Sequence, residues 1–351
     1  MKVLFYINAI HQGGAERVIS NLATQFSNNG HEVVLLTSFK ADWEYSVGEK
    51  VKRISLFENK IKGAIKRNFL LVKGLRKQIK EFKPDAVVSF MGEPNIRAII
   101  ATIGLKCKVF LSVRTDPNNE YSGVFNRFLA KTLFKKADGM IFQTEDAKSW
   151  FPKKIQDKSK VIYNQVDGKF FEDSTLPNGK NIVTAGRLSE VKCHDLLIKA
   201  YSKICDKIDG NLIIYGDGIL KDELQSLINS LNIQDRVVLA GQTSDVVSAY
   251  KKAGVFVLSS RVEGMPNALL EAMAIGLPCI STDCPCGGPK AVLSDGNGIL
   301  VPVGDEDAMA SAILSLYSDN ALRLKLSLKA KEKAKEFSPS VVYKEWEDFV
   351  L

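Results

Sequence analysis

The stretch Ser259-Ser260-Arg261-Val262-Glu263-Gly264-Met265-Pro266-Asn267-Ala268-Leu269-Leu270-Glu271 sets two carboxylates, Glu263 and Glu271, eight residues apart. Glu263-Gly264 reads as the end of a loop, Pro266 suits the first position of a helix, and residues 267–273 are strong helix formers. On helical rise the interval spans about 12 Å. That is the reach needed to touch a sugar at one end and a ribose at the other. A diphosphate would lie between them over the helix N-terminus, where unpaired amides and the helix dipole favour an anion. An acidic loop followed by a solvated glutamate accounts for the same letters, so the other loops must decide.

Gly186-Arg187-Leu188-Ser189-Glu190-Val191-Lys192 brings two cations to a similar strand-to-helix junction. Arg187 would grip a diphosphate as a planar fork and Lys192 as a point charge. Such cations, with helix-end amides, can stabilise the charge that grows on a departing nucleoside diphosphate without a metal ion. Loop charges standing in water are the alternative. Earlier in the chain, His11-Gln12-Gly13-Gly14-Ala15-Glu16-Arg17 follows the first apolar run and opens a helical pattern. Paired glycines let backbone approach a phosphate closely, although a tight turn without a ligand reads the same way. The spacing is not G-x-G-x-x-G, and no acidic residue ends the second strand. A nicotinamide dinucleotide site is therefore disfavoured, and no G-x-x-x-x-G-K-[ST] occurs.

Weaker signals surround these. Gly216, in Tyr215-Gly216-Asp217-Gly218, and Gly241, in Ala240-Gly241-Gln242-Thr243, both follow strand-like runs and could wall a nucleotide pocket; tight turns explain them equally. Glu93 in Met91-Gly92-Glu93-Pro94-Asn95, and Arg114 and Asp116 in Arg114-Thr115-Asp116-Pro117, follow strands of the first half and could meet an acceptor hydroxyl or its phosphates. Asp305-Glu306-Asp307 imitates a metal-holding D-x-D. It stands directly before a helical pattern, where capping and the dipole favour acids without any metal. His31 begins a strand-like run, while His11 and His194 neighbour the candidate phosphate loops without an evident orienting partner. The expectation is no metal and no cofactor.

These residues need a frame. Short apolar runs at 3–7, 33–36, 86–90, 109–113 and 140–142 alternate with helical patterns such as 15–28, 65–82 and 124–135. A second series of runs lies at 182–184, 212–215, 237–239, 255–258, 278–281 and 298–301. Its helices fall at 194–208, 220–231, 267–275 and 308–317. Strands separated by helices imply parallel sheets covered on both faces. The expected architecture is α/β: two facing, doubly wound Rossmann-like domains, 1–165 and 166–337, with the ligand in the cleft outside the strand ends. Residues 164–180 carry Pro177 and Gly179 and no periodicity, so the junction falls there. A long helical pattern at 321–337 stops at Ser338-Pro339. Residues 338–351, with Trp346 and Phe349 on one apolar face, either brace the first domain or cap the second.

Composition narrows the class. The 351 residues are 45% hydrophobic, enough for two cores. Six cysteines without metal spacing read as reduced cytoplasmic thiols. The opening apolar run is too short for a signal peptide and lacks a cleavage site, so it reads as a first buried strand; no apolar run is long enough to cross a membrane. Residues 1–165 hold 28 Lys+Arg against 15 Asp+Glu, whereas the remainder holds 20 against 25. Much of that excess lies in 60–83, whose Ile61, Ile65, Phe69, Val72, Leu75, Ile79 and Phe82 recur at helical steps. Such a basic amphipathic helix suits an anionic membrane surface, while a lysine-rich solvated face over a core stripe fits too. Without a recognisable nucleic-acid-binding module, nucleic acid is the poorer partner.

Taken in order, Gly13-Gly14-Ala15-Glu16, Asn164, Gly186-Arg187 with Lys192, Gly216-Asp217-Gly218 and Glu263-Gly264…Glu271-Ala272-Met273-Ala274 resemble glycosyltransferase family 4 over essentially the whole chain. These are retaining, nucleotide-sugar-dependent enzymes of the GT-B fold. The Glu-x7-Glu element with the Arg/Lys pair is the specific part of the likeness. The resemblance implies that Arg187 and Lys192 hold the donor diphosphate, that Glu263 contacts the transferred sugar and that Glu271 binds ribose hydroxyls. It places Gly264, Met265, Pro266 and Asn267 around the same donor, and acceptor binding in the N-terminal domain. The chain departs from the pattern at Val113-Arg114-Thr115, where many members have a histidine, and at Ala291, where many have glutamate.

The expected activity is hexose or N-acetylhexosamine transfer, without a metal, from a UDP-sugar to a glycan or polyprenyl-diphosphate-linked acceptor of a bacterial surface polysaccharide. The expected place is the cytoplasm, peripheral at the inner face of the membrane. A nucleotide-sugar epimerase and a non-catalytic nucleotide-sugar-binding subunit are the rivals.

Overall fold

The computed structural model describes residues 1–11, 13–173 and 175–351. Gln12 of the glycine turn and Ser174 of the expected junction lie outside the described residues. The chain divides into two compact units, residues 1–164 with 340–351, and residues 165–339.

The first unit is built on seven parallel strands: β1 (Lys2–Ile7), β2 (Glu32–Phe39), β3 (Lys52–Phe57), β4 (Ala86–Phe90), β5 (Lys108–Ser112), β6 (Gly139–Phe142) and β7 (Ser159–Val161). Their order is β3-β2-β1-β4-β5-β6-β7. Central strands are near-continuous apolar runs because helices cover both faces. Leu4, for example, pairs with Val34 on one side and Val87 on the other, and is fully buried. The second unit repeats the plan with β8 (Asn181–Ala185), β9 (Leu212–Tyr215), β10 (Val237–Gly241), β11 (Ala253–Leu258), β12 (Cys279–Thr282) and β13 (Ile299–Val301), ordered β10-β9-β8-β11-β12-β13.

In each sheet the winding reverses once, between β1 and β4 and between β8 and β11. Loops leaving the carboxyl ends of those neighbours diverge and open a crevice, the usual ligand position in doubly wound sheets. Glu93 stands on the loop side of one reversal. Gly186-Arg187 and Glu263 stand at the other.

The last helix, Pro339–Val350, belongs to the first unit. Val342, Trp346 and Val350 are fully buried in the core that also holds Phe5, Phe26 and Phe90. Trp346 stacks on Phe90 at 5.5 Å.

The basic helix spans Ala64–Phe82. Leu71, Leu75 and Ile79 are buried, whereas Ile65 is 90% and Phe69 67% exposed. One expectation needs correcting. Pro266 is the residue before the helix Asn267–Ile275, not its first residue, with extended backbone at ψ 106. The helical ruler therefore applies only from Asn267 to Glu271, and the 12 Å figure does not describe the Glu263–Glu271 interval. Among the described residues, no helix is long and apolar enough to cross a membrane.

Candidate active site

The strongest constellation lies at the β8/β11 reversal. Lys192 ends a short 3-10 turn (Glu190–Lys192) after the Gly186-Arg187 loop. Its Nζ lies 2.5 Å from Glu263 Oε1, on the loop after β11. The Ser260 hydroxyl donates to the same carboxylate oxygen at 2.6 Å, and Thr282 Oγ1 donates to the Ser260 carbonyl at 2.5 Å. Ser259 Oγ donates to the Lys192 carbonyl at 2.9 Å. The loops after β8 and β11 and the end of β12 are thus tied into one unit, with an ammonium and a carboxylate side by side and partly shielded from water.

Glycines bring the neighbouring loops close. The Gly186 amide donates to the Tyr215 carbonyl (3.0 Å), and the Gly216 amide to the Gly241 carbonyl (2.8 Å). At Gly216, φ is 137° and a Cβ would stand 1.9 Å from the Gly186 carbonyl oxygen. No other residue fits there. Gly264 plays the complementary part: a Cβ on Gly288 would meet its carbonyl oxygen at 1.8 Å. Met265 and Pro266 are buried and Asn267 half-buried, while Glu271, one turn into the helix, is 7% exposed. Arg187 is exposed. Burial, then the nearby Lys192 charge, push the His194 imidazole down to about 4, so it stays neutral beside the loop.

In the first unit the expected residues separate. Glu93 lines a pocket with Asn8, Arg67 and Trp43. It accepts from Arg97, whose guanidinium also donates to Asn8 Oδ1 at 2.7 Å across the β1/β4 reversal. Arg114 and Asp116 are not among the residues lining that pocket. The Arg114 guanidinium is buried, donates to Asn164 and lies 4.9 Å from the Phe90 ring centroid; burial pushes it down to about 9. Asp116 is 7% exposed and caps the short helix Pro117–Glu120, accepting from the Asn118 amide at 3.0 Å. Gly13 precedes the helix Gly14–Asn28, but a Cβ on Gly13 would meet Glu16 Oε2 at 1.9 Å. That helix end is already approached by its own carboxylate.

Two family models match in succession: "Glycosyltransferase Family 4" over residues 12–169 and "Glycosyl transferases group 1" over 167–336. The N-acetylgalactosamine-N,N'-diacetylbacillosaminyl-diphospho-undecaprenol 4-alpha-N-acetylgalactosaminyltransferase of Campylobacter jejuni is 31% identical, across 96% of this chain and 95% of that protein. The chain belongs to the family 4, group 1 glycosyltransferases. The amylovoran biosynthesis glycosyltransferase AmsD of Erwinia amylovora is 24% identical over 99% of both chains. Among solved structures, the lipopolysaccharide outer core galactosyltransferase WaaB in its apo form superposes with TM-score 0.82 at 22% identity, covering 99% of both. Anabaena HepE in complex with UDP and glucose gives 0.82 at 19%, over 99% of this chain and 98% of that one. These likenesses carry the GT-B fold.

Several contacts of this glycosyltransferase carry little signal in the sequence. Ser260 stands three residues before Glu263, and a hydroxyl at that spacing across a loop is the one cue to their hydrogen bond. Glu120 carries none. Its carboxyl is buried against the β4 end, accepts from the Gly92 amide at 2.6 Å, and burial pushes it up to about 7. It thereby anchors the Met91–Glu93 turn, where Met91 holds φ 78°. Asp305 Oδ1 accepts from the Ala308 amide at 2.8 Å, while Glu306 and Asp307 pair with Lys203 at 3.1 and 2.7 Å.

Proposed function

We propose that this chain is a retaining, metal-independent glycosyltransferase. It moves a hexose or N-acetylhexosamine from a UDP-sugar to a bacterial surface glycan growing on a polyprenyl diphosphate. The observation that carries the reading is the Lys192–Glu263 pair at the β8/β11 reversal, beside Gly186-Arg187. Arg187 and Lys192 supply two positive charges where a nucleoside diphosphate departs, offsetting charge that grows in the transition state. Glu263 accepts from hydroxyl and ammonium donors already, and a sugar hydroxyl is a donor of the same kind. Glu271 would take the ribose hydroxyls. As the sugar–oxygen bond to the diphosphate breaks, the acceptor oxygen attacks the same face, and its proton passes to the leaving phosphate oxygen. The acceptor class is supported by the relative whose name carries diphospho-undecaprenol, and the donor nucleotide by HepE, solved with UDP-glucose.

A thermal-shift panel tests the donor. Ligand that binds only the folded chain stabilises it by mass action, so UDP-sugars should raise Tm more than GDP- or ADP-sugars, with chelator present or absent. No stabilisation by any nucleotide sugar, or stabilisation abolished by chelator, would sink the reading.

We further propose that the first unit meets an anionic membrane from the cytoplasmic side. Three helices carry the surface: Ala64–Phe82 packs on Gly92–Thr102, which packs on Val124–Leu133. They expose Ile65 and Phe69, Ile100, and Val124, Phe125 and Phe128, with lysines and arginines interspersed. Exposed apolar area flanked by cations suits headgroups and the acyl boundary. The protein should co-sediment with phosphatidylglycerol-containing vesicles, less so with neutral ones or at 0.5 M salt, and Phe125→Ser with Phe128→Ser should weaken binding several-fold. Equal recovery with and without anionic lipid would remove the proposal.

A further inference from the structure

We infer that the pocket at the carboxyl ends of β1–β3 binds an uncharged sugar ring of the acceptor, with Trp43 as its stacking platform. This rests on the glycosyltransferase reading above and names what this unit grips. The cavity holds about 800 Å³, within the ordinary range of small-ligand sites.

Its electrostatics select the ligand class. Four carboxylates line it, from Glu16, Asp42, Glu58 and Glu93, against three cations, from Lys40, Lys60 and Arg67. Two of those cations are engaged: Lys40 lies 3.6 Å from Glu58 and Arg67 4.0 Å from Glu93. A phosphate would enter a field without positive excess, and a lipid tail would have to cover these charges. A polyol suits the lining, since carboxylates and amides such as Asn8 and Asn59 accept and donate to hydroxyls.

Trp43 supplies the flat apolar face. It is 55% exposed on the pocket wall, a large aromatic surface left in water. The electron-rich face of an indole attracts the polarised C–H groups of a pyranose, and its area is large. The loop that presents it is braced. Arg53 grips Glu44 with Nη2 at 2.6 Å and Nε at 3.1 Å. The Tyr45 amide donates to the Ile10 carbonyl at 2.9 Å, and the Tyr45 ring meets the indole edge-on at 5.0 Å. A platform fixed before the ligand arrives loses little entropy on binding.

The test uses 15N-labelled full-length protein. The Trp43 indole N–H signal, identified by its loss in Trp43→Phe, should shift with at least one of N-acetylgalactosamine, chitobiose or maltose, and stay fixed with inorganic pyrophosphate. A signal unmoved by all three sugars, or moved by pyrophosphate, overturns the inference. In the transfer assay, Trp43→Ala should raise the KM for a lipid-diphosphate-linked glycan at least tenfold, with the donor KM within twofold, and Trp43→Phe should restore most of it. An unchanged acceptor KM also overturns it. Failure of the donor reading would show differently, as a protein that no nucleotide sugar stabilises.

Discussion

Lys192→Ala should lower turnover by ten- to a hundredfold, about 1.4–3 kcal/mol of transition-state stabilisation, and Arg187→Ala by a similar factor. Both effects belong in kcat as much as in kcat/KM, because the charge these cations meet is largest as the diphosphate departs. Removing Lys192 has a second consequence. Its Nζ sits 2.5 Å from Glu263, so alanine leaves that carboxylate without its cation, next to the incoming diphosphate. Repulsion is then added to lost attraction. The pair should accordingly be non-additive: Lys192→Ala with Glu263→Gln should lose less than the two single variants combined, a coupling expected between groups in contact. Initial rates with purified variants decide this. Single variants turning over within twofold of the parent would remove both cations from the mechanism.

Trp346→Ala should cost about 3–5 kcal/mol, the range for truncating a large buried aromatic. Trp346 is fully buried, stacks on Phe90 and shares a core with residues of β1 and of the helix Gly14–Asn28. Whole domains are stable by only about 5–15 kcal/mol, so the change should bring the first unit near its unfolding threshold. Urea unfolding, followed by tryptophan emission and by nucleotide-sugar binding, would separate the two units. The first transition should move to lower urea while the donor-binding one holds. A shift worth under 1 kcal/mol would mean that the last helix is only laid on the surface.

The central strands were legible because burial on both faces leaves runs such as Val87-Val88 or Ile213-Ile214 that read only one way. β3 and β7 were not. Lys52–Phe57 is an edge strand of half-exposed residues beginning Lys-Arg, without an apolar run, and Ser159–Val161 is too short to show a period. Chemistry followed the same line. Arg187, Lys192 and Glu263 lie on loops of one sheet reversal; alternation marks those loops as strand exits, and the sheet order brings them together. Arg114 and Asp116 also follow a strand; one lies over the Phe90 ring and the other caps a short helix, contacts that a strand-exit position does not reveal. Trp43 carried no pattern at all; only its exposure and the bracing of its loop distinguish it.

The return of residues 340–351 to the first unit also bears on how the protein is made. A ribosome finishes residues 1–164 long before it reaches Val342, Trp346 and Val350, so the nascent first sheet emerges with one wall of its interior missing. It must wait, uncovered, while all of 165–339 is translated. Maturation therefore runs backwards from the usual order: the unit begun first is sealed only after the other has been made, and a chain ended before residue 340 has a first unit with an open core.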